Sequence, residues 1–367
     1  MNIGVAKERT AGEQRVALGP DSIAKLVKSG AAMFVERGAG VAAGFPDPVL
    51  EKAGATLIDG AAALYATSAI VLRVQPPTLE EIALLPEGSV LISSLPAATS
   101  GALIQAMAAR RITAFALEKV PRITRAQSMD MLSSQSTVSG YKAVLLGAAA
   151  LPKFLPSLTT AAGSIPPARV FVLGAGVAGL QAIATARRLG AIVSAFDVRA
   201  AAAEQVMSLG ATFVASDLVA ADAETKGGYA RAQGEDERER TLAAIARHIV
   251  TQDLVITTAL IPGRPAPVLI TKAMVDSMQP GAVIVDLAAE AGGNCELTKP
   301  NETIRVGDVT IIGAVNLPST VPFHASQMLS RNILTLLQHL IKENALTIDL
   351  ADEITKAMVV THDGVVV

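Results

Sequence analysis

Val170-Phe-Val-Leu-Gly174-Ala-Gly176-Val-Ala-Gly179 sets three glycines at the spacing of a turn that can approach a phosphate. The four apolar residues read as a buried strand. Gly174 permits a tight turn, Gly176 lets backbone come close to a pyrophosphate, and Gly179 lets the following helix pack on the strand. A helix over 177–189 would aim its positive end at that anion. A second apolar run, Ala191–Phe196, ends at Asp197, 18 residues after Gly179. A carboxylate there accepts both hydroxyls of an adenosine ribose and repels a 2′-phosphate, so NAD(H) is favoured over NADP(H). A glycine turn alone is weak grounds for this; strand, turn, helix, strand and acid in order carry the expectation.

The elements around this motif must come from a chain of 367 residues, 51% hydrophobic and 17% charged, with a net charge of −2. That length allows two domains with sizeable cores. The composition excludes a disordered chain and suits buried parallel sheets. Mixed charge gives no basic stripe, so nucleic acid is not an expected partner. Cys295 is the one cysteine, which leaves no internal disulfide framework and fits a reducing cytoplasm. No metal-ligating cluster is visible. Met1–Lys7 runs into a strand without a secretory signal. The apolar run 168–186 is broken by Arg169 and Gln181 and holds the glycine turn, so no direct membrane insertion is expected.

Short apolar runs alternate with helical stretches throughout, which predicts α/β architecture with two Rossmann-like, doubly wound, mostly parallel sheets. Strands are expected at 2–6, 32–36, 69–74, 89–93 and 112–116, then at 211–214, 253–257, 282–286 and 309–313, with helices such as 21–29 and 100–110 between them. Lys7, Glu8, Arg9, Arg15, Arg73 and Gln75 fall at or past strand ends, where open sheets bind ligands; position alone leaves ordinary surface charge as an equal alternative. A long helical run over 129–151, followed by Pro152, Pro156, Pro166 and Pro167, marks the crossing into a second domain. The run 326–342 reads as a helix returning to the first. The expected division is therefore 1–138 with 318–367, around an inserted domain 139–317, with a ligand cleft where they meet. Within the insertion, the polar stretch 224–240 contains Gly227-Gly228-Tyr229. It reads either as a mobile loop near 222–238 that brings an aromatic ring to a ligand, or as a solvated linker into a helix over 235–248.

Pro121-Arg122-Ile-Thr-Arg125-Ala-Gln127-Ser-Met-Asp130-Met-Leu-Ser133 closely resembles the Arg-Gln-Asp loop of the NAD(H)-binding component, domain I, of proton-translocating nicotinamide nucleotide transhydrogenase. Asp197-Val198-Arg199-Ala200, Gly227-Gly-Tyr229-Ala, Thr257-Thr-Ala-Leu260-Ile-Pro-Gly263 and Asp286-Leu-Ala-Ala-Glu290-Ala-Gly-Gly-Asn294-Cys are similar to that family in the same order. The resemblance spans the chain to about Leu346. It implies that Arg122, Asp130 and Ser133 hold the nicotinamide carboxamide, whose amide a carboxylate accepts and whose carbonyl a guanidinium and a hydroxyl donate to. It places Gln127 toward the ribose of a second nucleotide. It assigns Val177, Asp197, Val198, Arg199, Gly228 and Leu260 to the adenosine side and Tyr229 to closure over NAD(H). Without it, Arg122 and Asp130 read as a structural ion pair, and Arg199 as a group that would tolerate a 2′-phosphate.

The resemblance further implies NADP(H) on a separate component, membrane-spanning partner subunits, a homodimer, and a peripheral place on the cytoplasmic face of the inner membrane. Alanine dehydrogenase, a relative of domain I, is the rival. In that enzyme a Lys after one strand and a His after the next serve the substrate; Arg15 matches its carboxylate position, but the transhydrogenase family shares that residue, so it does not discriminate. This chain has Arg73 and Pro96 there, and its four histidines all lie beyond residue 240. Neither Arg73 nor Pro96 is a general acid at neutral pH, whereas hydride transfer between two nicotinamides needs alignment and no proton donor. A non-catalytic NAD(H)-binding module is the remaining alternative; it would not require the nicotinamide loop.

Overall fold

The computed structural model describes residues 1–96, 99–215, 234–260, 264–343 and 345–367. The chain divides into two compact units, Met1–Gln135 with Pro318–Val367, and Ser136–Leu317. The first strands are β1 (Asn2–Val5), β2 (Ala32–Glu36), β3 (Ala55–Ile58), β4 (Ile70–Leu72), β5 (Val90–Ser93) and β6 (Thr113–Ala116). A hairpin of β7 (Leu158–Thr160) and β8 (Gly163–Ile165) precedes β9 (Arg169–Leu173), β10 (Ile192–Phe196) and β11 (Thr212–Phe213). Then come β12 (Leu254–Thr257), β13 (Val283–Asp286), β14 (Thr303–Val306) and β15 (Val309–Gly313). The chain ends with β16 (Ile341–Lys342), β17 (Ala345–Leu346), β18 (Val359–His362) and β19 (Val365–Val366).

In the first unit the sheet order is β3-β2-β1-β4-β5-β6-β18-β19. Strands β1 to β6 are parallel and β1 pairs with both β2 and β4, so the sheet reverses its direction of growth there. In the second unit the order is β11-β10-β9-β12-β13-β15-β14, with the same reversal at β9, which pairs with β10 and β12. Both are the open order in which ligands lie beyond the strand ends at the reversal.

The central strands are apolar without alternation because helices cover both faces. Val170 and Val172 enter one core of the second unit and Phe171 and Leu173 the other. Ile70 and Leu72 likewise separate from Val71 across the first sheet. Helix ends follow local chemistry. Pro20 opens Pro20–Lys28, with Asp21 in its first turn and Lys25 and Lys28 in its last, as the helix dipole favours. Thr78 and Glu81 form a capping box on Leu79–Leu84, meeting two otherwise orphaned N–H groups.

Three features depart from sequence expectation. Strands β14, β18 and β19 are antiparallel edges, built from segments after about Leu346 or from short polar strands whose pattern carries no signal. The proline-marked stretch holds the exposed hairpin β7–β8. The returning helix begins at Pro322 and ends at Leu340, since proline is tolerated in a first turn. The helix Met131–Ala150 contains the division between units.

Candidate functional site

The turn after β9 has the geometry its glycines suggested. Gly174 sits at φ +94°, and a side chain there would meet Thr258 Oγ1 at 2.7 Å. A Cβ on Gly179 would lie 1.8 Å from the Gly174 carbonyl oxygen, so helix and turn touch backbone to backbone. Around Gly176 nothing lies within 4 Å of where a Cβ would sit. That open space faces the start of the helix Val177–Arg188, which no side chain caps, leaving first-turn N–H groups for an anion. Val177 is exposed there. Gly140, which no sequence motif marks, admits the Met131–Ala150 helix against this end: a Cβ on it would fall 2.0 Å from the Ala178 oxygen.

Asp197 ends β10 nearly buried, at 6% exposure. Its Oδ2 accepts from Ala175 N at 2.7 Å and its Oδ1 from Arg199 N at 2.9 Å. The Arg199 guanidinium adds a two-pronged pair, Nε to Oδ1 at 2.9 Å and Nη2 to Oδ2 at 2.8 Å. The acidic residue thus clasps the glycine turn while Arg199 occupies its outer side. Val198 between them is half-buried.

Beyond β12, Thr258 Oγ1 donates to the Gly174 oxygen at 2.9 Å. Leu260 follows, 45% exposed. Its neighbour Ala259 is held on both sides by the Asn294 side chain, with Ala259 N donating to Oδ1 at 3.0 Å and Nδ2 donating to the Ala259 oxygen at 2.9 Å. Asn294 is in turn fixed by Asp286 at the end of β13, a fully buried carboxylate that accepts from Thr257 Oγ1, Ala288 N, Asn294 N, Cys295 N and Thr298 Oγ1. Asp286, Asn294 and Thr258 stand in motifs whose sequence suggested no role for them individually. Gly228 and Tyr229, and the loop near 222–238 through residue 233, lie outside the described residues.

In the first unit, Arg122 and Gln127 are exposed on a segment that forms the short 3-10 turn Thr124–Met129. Asp130 accepts from Ser133 N at 2.9 Å and from Ser133 Oγ at 2.6 Å, as the cap of the helix that follows. Two of the residues expected to hold the carboxamide are thereby brought together. Asn332, nearly buried on the Pro322–Leu340 helix, holds both flanks of Asp130: Nδ2 donates to the Ser128 oxygen at 2.8 Å and Oδ1 accepts from Ser134 Oγ at 2.7 Å. A polar stripe on that helix also takes the segment before the first helix, with Val16 N and Gly19 N donating to Ser326 and Ser330. No sequence signal singles out Asn332 among the other polar residues of that helix.

The strand-end charges of the first unit are largely tied to one another, although Lys7 is exposed and the Arg9 side chain is 41% exposed. Arg73, 1% exposed, pairs with Glu81 at 2.5 Å and with Glu8 at 3.5 Å and donates to Tyr65 Oη at 2.9 Å. Arg9 bridges Glu36 and Glu81. Burial pushes the Glu8 carboxyl up against the pull of Arg73 and, with Glu81 beside it, the Tyr65 hydroxyl up to about 12. Arg15 is equally committed: Nε and Nη2 fork onto Glu13 at 2.8 and 2.7 Å, and Nη1 reaches Gln135 at 2.9 Å. Burial alone would raise the Glu13 carboxyl, but hydrogen bonds and charge from Arg15 and a bond from Gln75 outweigh it and bring it down to about 2. Where sequence position allowed free surface charge, the structure shows a filled crevice. Among the described residues no His, Cys, Asp and Glu cluster could hold a metal, and no helix is long and apolar enough to cross a membrane.

An open sheet whose reversal carries a glycine turn, clasped by an acid from the next strand, defines a dinucleotide-binding α/β protein. Residues 4–139 match the profile described as alanine dehydrogenase/PNT, N-terminal domain, and residues 143–367 that of the C-terminal domain. The chain belongs to the alanine dehydrogenase/PNT family. It is 49% identical to the first part of the NAD(P) transhydrogenase alpha subunit of Rhodospirillum rubrum, over 100% of this chain and 98% of that one. A solved structure, "The crystal structure of transhydrogenase from Sinorhizobium meliloti", matches with a TM-score of 0.91 and 45% identity over 100% of both chains. A structure of L-alanine dehydrogenase matches with a TM-score of 0.82 at 28% identity, over 100% of this chain and 97% of the other.

Proposed function

We propose that the chain is the NAD(H)-binding subunit of a proton-translocating nicotinamide nucleotide transhydrogenase. In this reading, hydride passes between NADH on this chain and NADP+ on a partner component. The observation that carries it is the state of the first unit: Arg73, where a dehydrogenase would place its substrate lysine, is tied to Glu8 and Glu81 inside the protein. An amino acid would have to break this buried pairing to reach the Arg73 cation. The pyrophosphate and adenosine of a dinucleotide need only what the second unit offers.

The residues fit that ligand. The open space at Gly176 and the uncapped helix suit a pyrophosphate, and Asp197 with Val177, Val198, Arg199, Gly228 and Leu260 would serve the adenosine end. Arg122, Asp130 and Ser133 would orient the nicotinamide carboxamide, Gln127 would reach toward the partner's nucleotide, and Tyr229 would close over NAD(H). The bound dinucleotide supplies the transferable hydride at its nicotinamide C4. This chain's residues then contribute orientation alone, because no proton is exchanged in moving a hydride from one nicotinamide to another.

The reading includes membrane-spanning partners, a peripheral cytoplasmic location through them, and a homodimer. The exposed ribbon β7–β8 supports the last, since a two-stranded hairpin is marginal alone and this one leaves Ile165 43% exposed. The test is to mix the purified chain with a separately produced NADP(H)-binding component and follow hydride exchange between nucleotides. Exchange on mixing, with neither component active alone, is expected. Alanine-dependent NAD+ reduction at an enzymatic rate by the chain alone would overturn it.

A further inference from the structure

We infer that Arg199 sets nucleotide affinity and preference by competing with the adenosine ribose for Asp197, an inference that rests on the NAD(H) reading above. A carboxylate offers about four lone-pair positions, and all four are in use here. Ala175 N and Arg199 N take one on each oxygen, and both are backbone donors fixed by the turn. The Arg199 Nε and Nη2 take the other two at 2.9 and 2.8 Å. The backbone pair is integral to the fold, so only the side-chain fork can be exchanged.

A guanidinium fork presents two parallel donors to a carboxylate. The vicinal 2′- and 3′-hydroxyls of a ribose present two donors as well. The two are alternative occupants of the same face of Asp197, and a nucleotide bearing the diol enters by displacing Arg199 into solvent, toward which its side chain is already 16% exposed. A 2′-phosphorylated ribose has one hydroxyl left and brings negative charge to the carboxylate, so it cannot make the same exchange. Arg199 is therefore a brake on NADH binding whose removal bares Asp197. Its removal also takes away a cation beside the 2′ position. A residue that merely contacts the adenosine side would behave in the opposite way, since deleting it would weaken NADH.

The experiment measures NADH and NADPH binding to the full chain and to Arg199→Ala and Arg199→Lys, by nucleotide fluorescence and calorimetry at a temperature where all three are folded. Arg199→Ala should bind NADH about fivefold more tightly, because the diol no longer has to displace the fork. Lysine cannot form the fork, so Arg199→Lys should fall between the two. NADPH should not gain, so the preference for NADH should widen. NADH binding by Arg199→Ala that is unchanged or weaker overturns the inference, as does an equal gain for NADPH, while leaving the NAD(H) reading intact. Failure of the unaltered chain to bind NADH overturns that reading and this inference with it.

Discussion

The two sheets share the order of their first five strands and one reversal, at β1 in the first unit and at β9 in the second, yet the crevice beyond the reversal is used in opposite ways. After β1 and β4 it is packed with Glu8, Arg9, Arg73 and Glu81, a set of charges that satisfy one another. After β9 and β12 it is lined by glycine, Thr258 and open backbone. Topology supplies a crevice beyond the strand ends in either case. Side-chain volume and charge decide whether it becomes a brace or a binding site, so fold alone would have nominated both.

Breaking the brace should have the largest effect. Arg73→Ala leaves Glu8 buried without its cation and Glu81 with Arg9 alone, and loss of one partner from such a pair costs about 3–5 kcal/mol. Urea unfolding should register it. Arg73→Lys keeps the charge and should confer no alanine-dependent NAD+ reduction, because the cation still faces inward; appearance of that activity would argue that the crevice is a latent substrate site. In the second sheet, Gly179→Ala forces a Cβ against the Gly174 oxygen. It should lower stability by about 1–3 kcal/mol and abolish measurable NADH binding. Gly176→Ala is the matched control: its φ of −74° suits any residue and the space is open, so stability should hold while NADH binding weakens about tenfold as the methyl intrudes on the phosphate. Equal losses of stability in both variants would show that the turn is merely packed.

The second unit's turn was readable from sequence because glycine spacing, an apolar strand and a terminal acid are local signals whose physics depends on near neighbours. What escaped was long-range. Nothing near Arg73 in the chain announces that Glu8 and Glu81 converge on it from two other elements. Arg199 was legible as a cation near Asp197 but not as the occupant of its hydrogen-bonding face, which depends on one side-chain torsion path among several. Asn332 lies roughly 200 residues from the Ser128 and Ser134 it bridges, and one polar residue among several on its helix does not name its partner. The antiparallel edges were missed because strands of two to four residues carry too little pattern.

Asn332 permits a smaller test of the loop that the first sheet supports. Asn332→Ala removes the bond to the Ser128 carbonyl and one of those made by the Ser134 hydroxyl, which keeps the Met131 oxygen, at a cost of about 0.5–1.5 kcal/mol per bond. The loop carrying Arg122, Gln127 and Asp130 loses its anchor while the glycine turn is untouched. Hydride exchange with the NADP(H) component should therefore fall more steeply than NADH affinity. Parallel loss of both would place Asn332 in general stability instead.

Acid should separate the two sheets with the smallest effects. The Glu13 carboxyl lies at about 2, below its ordinary 4.5, so an unfolded chain takes up this proton first and stability is lost as pH falls through that window. Glu8, raised by burial, acts in the opposite sense, and Glu13→Gln compared with the parent chain isolates the first contribution. In the second unit, burial and the charge of Arg169 hold His248 below its ordinary 6.5, while its Nε2 lies 2.8 Å from Ser194 Oγ on β10. Below pH 6.5 the unfolded chain binds a proton that the folded one resists, so this sheet should begin to loosen at a milder acidity than the first. Hydrogen exchange followed from pH 7 to 5 should show β10 amides losing protection before those of β1, and His248→Gln should remove the difference. Retention of the same slope in that variant would mean that the second sheet's acid response lies elsewhere than in the imidazole held against β10.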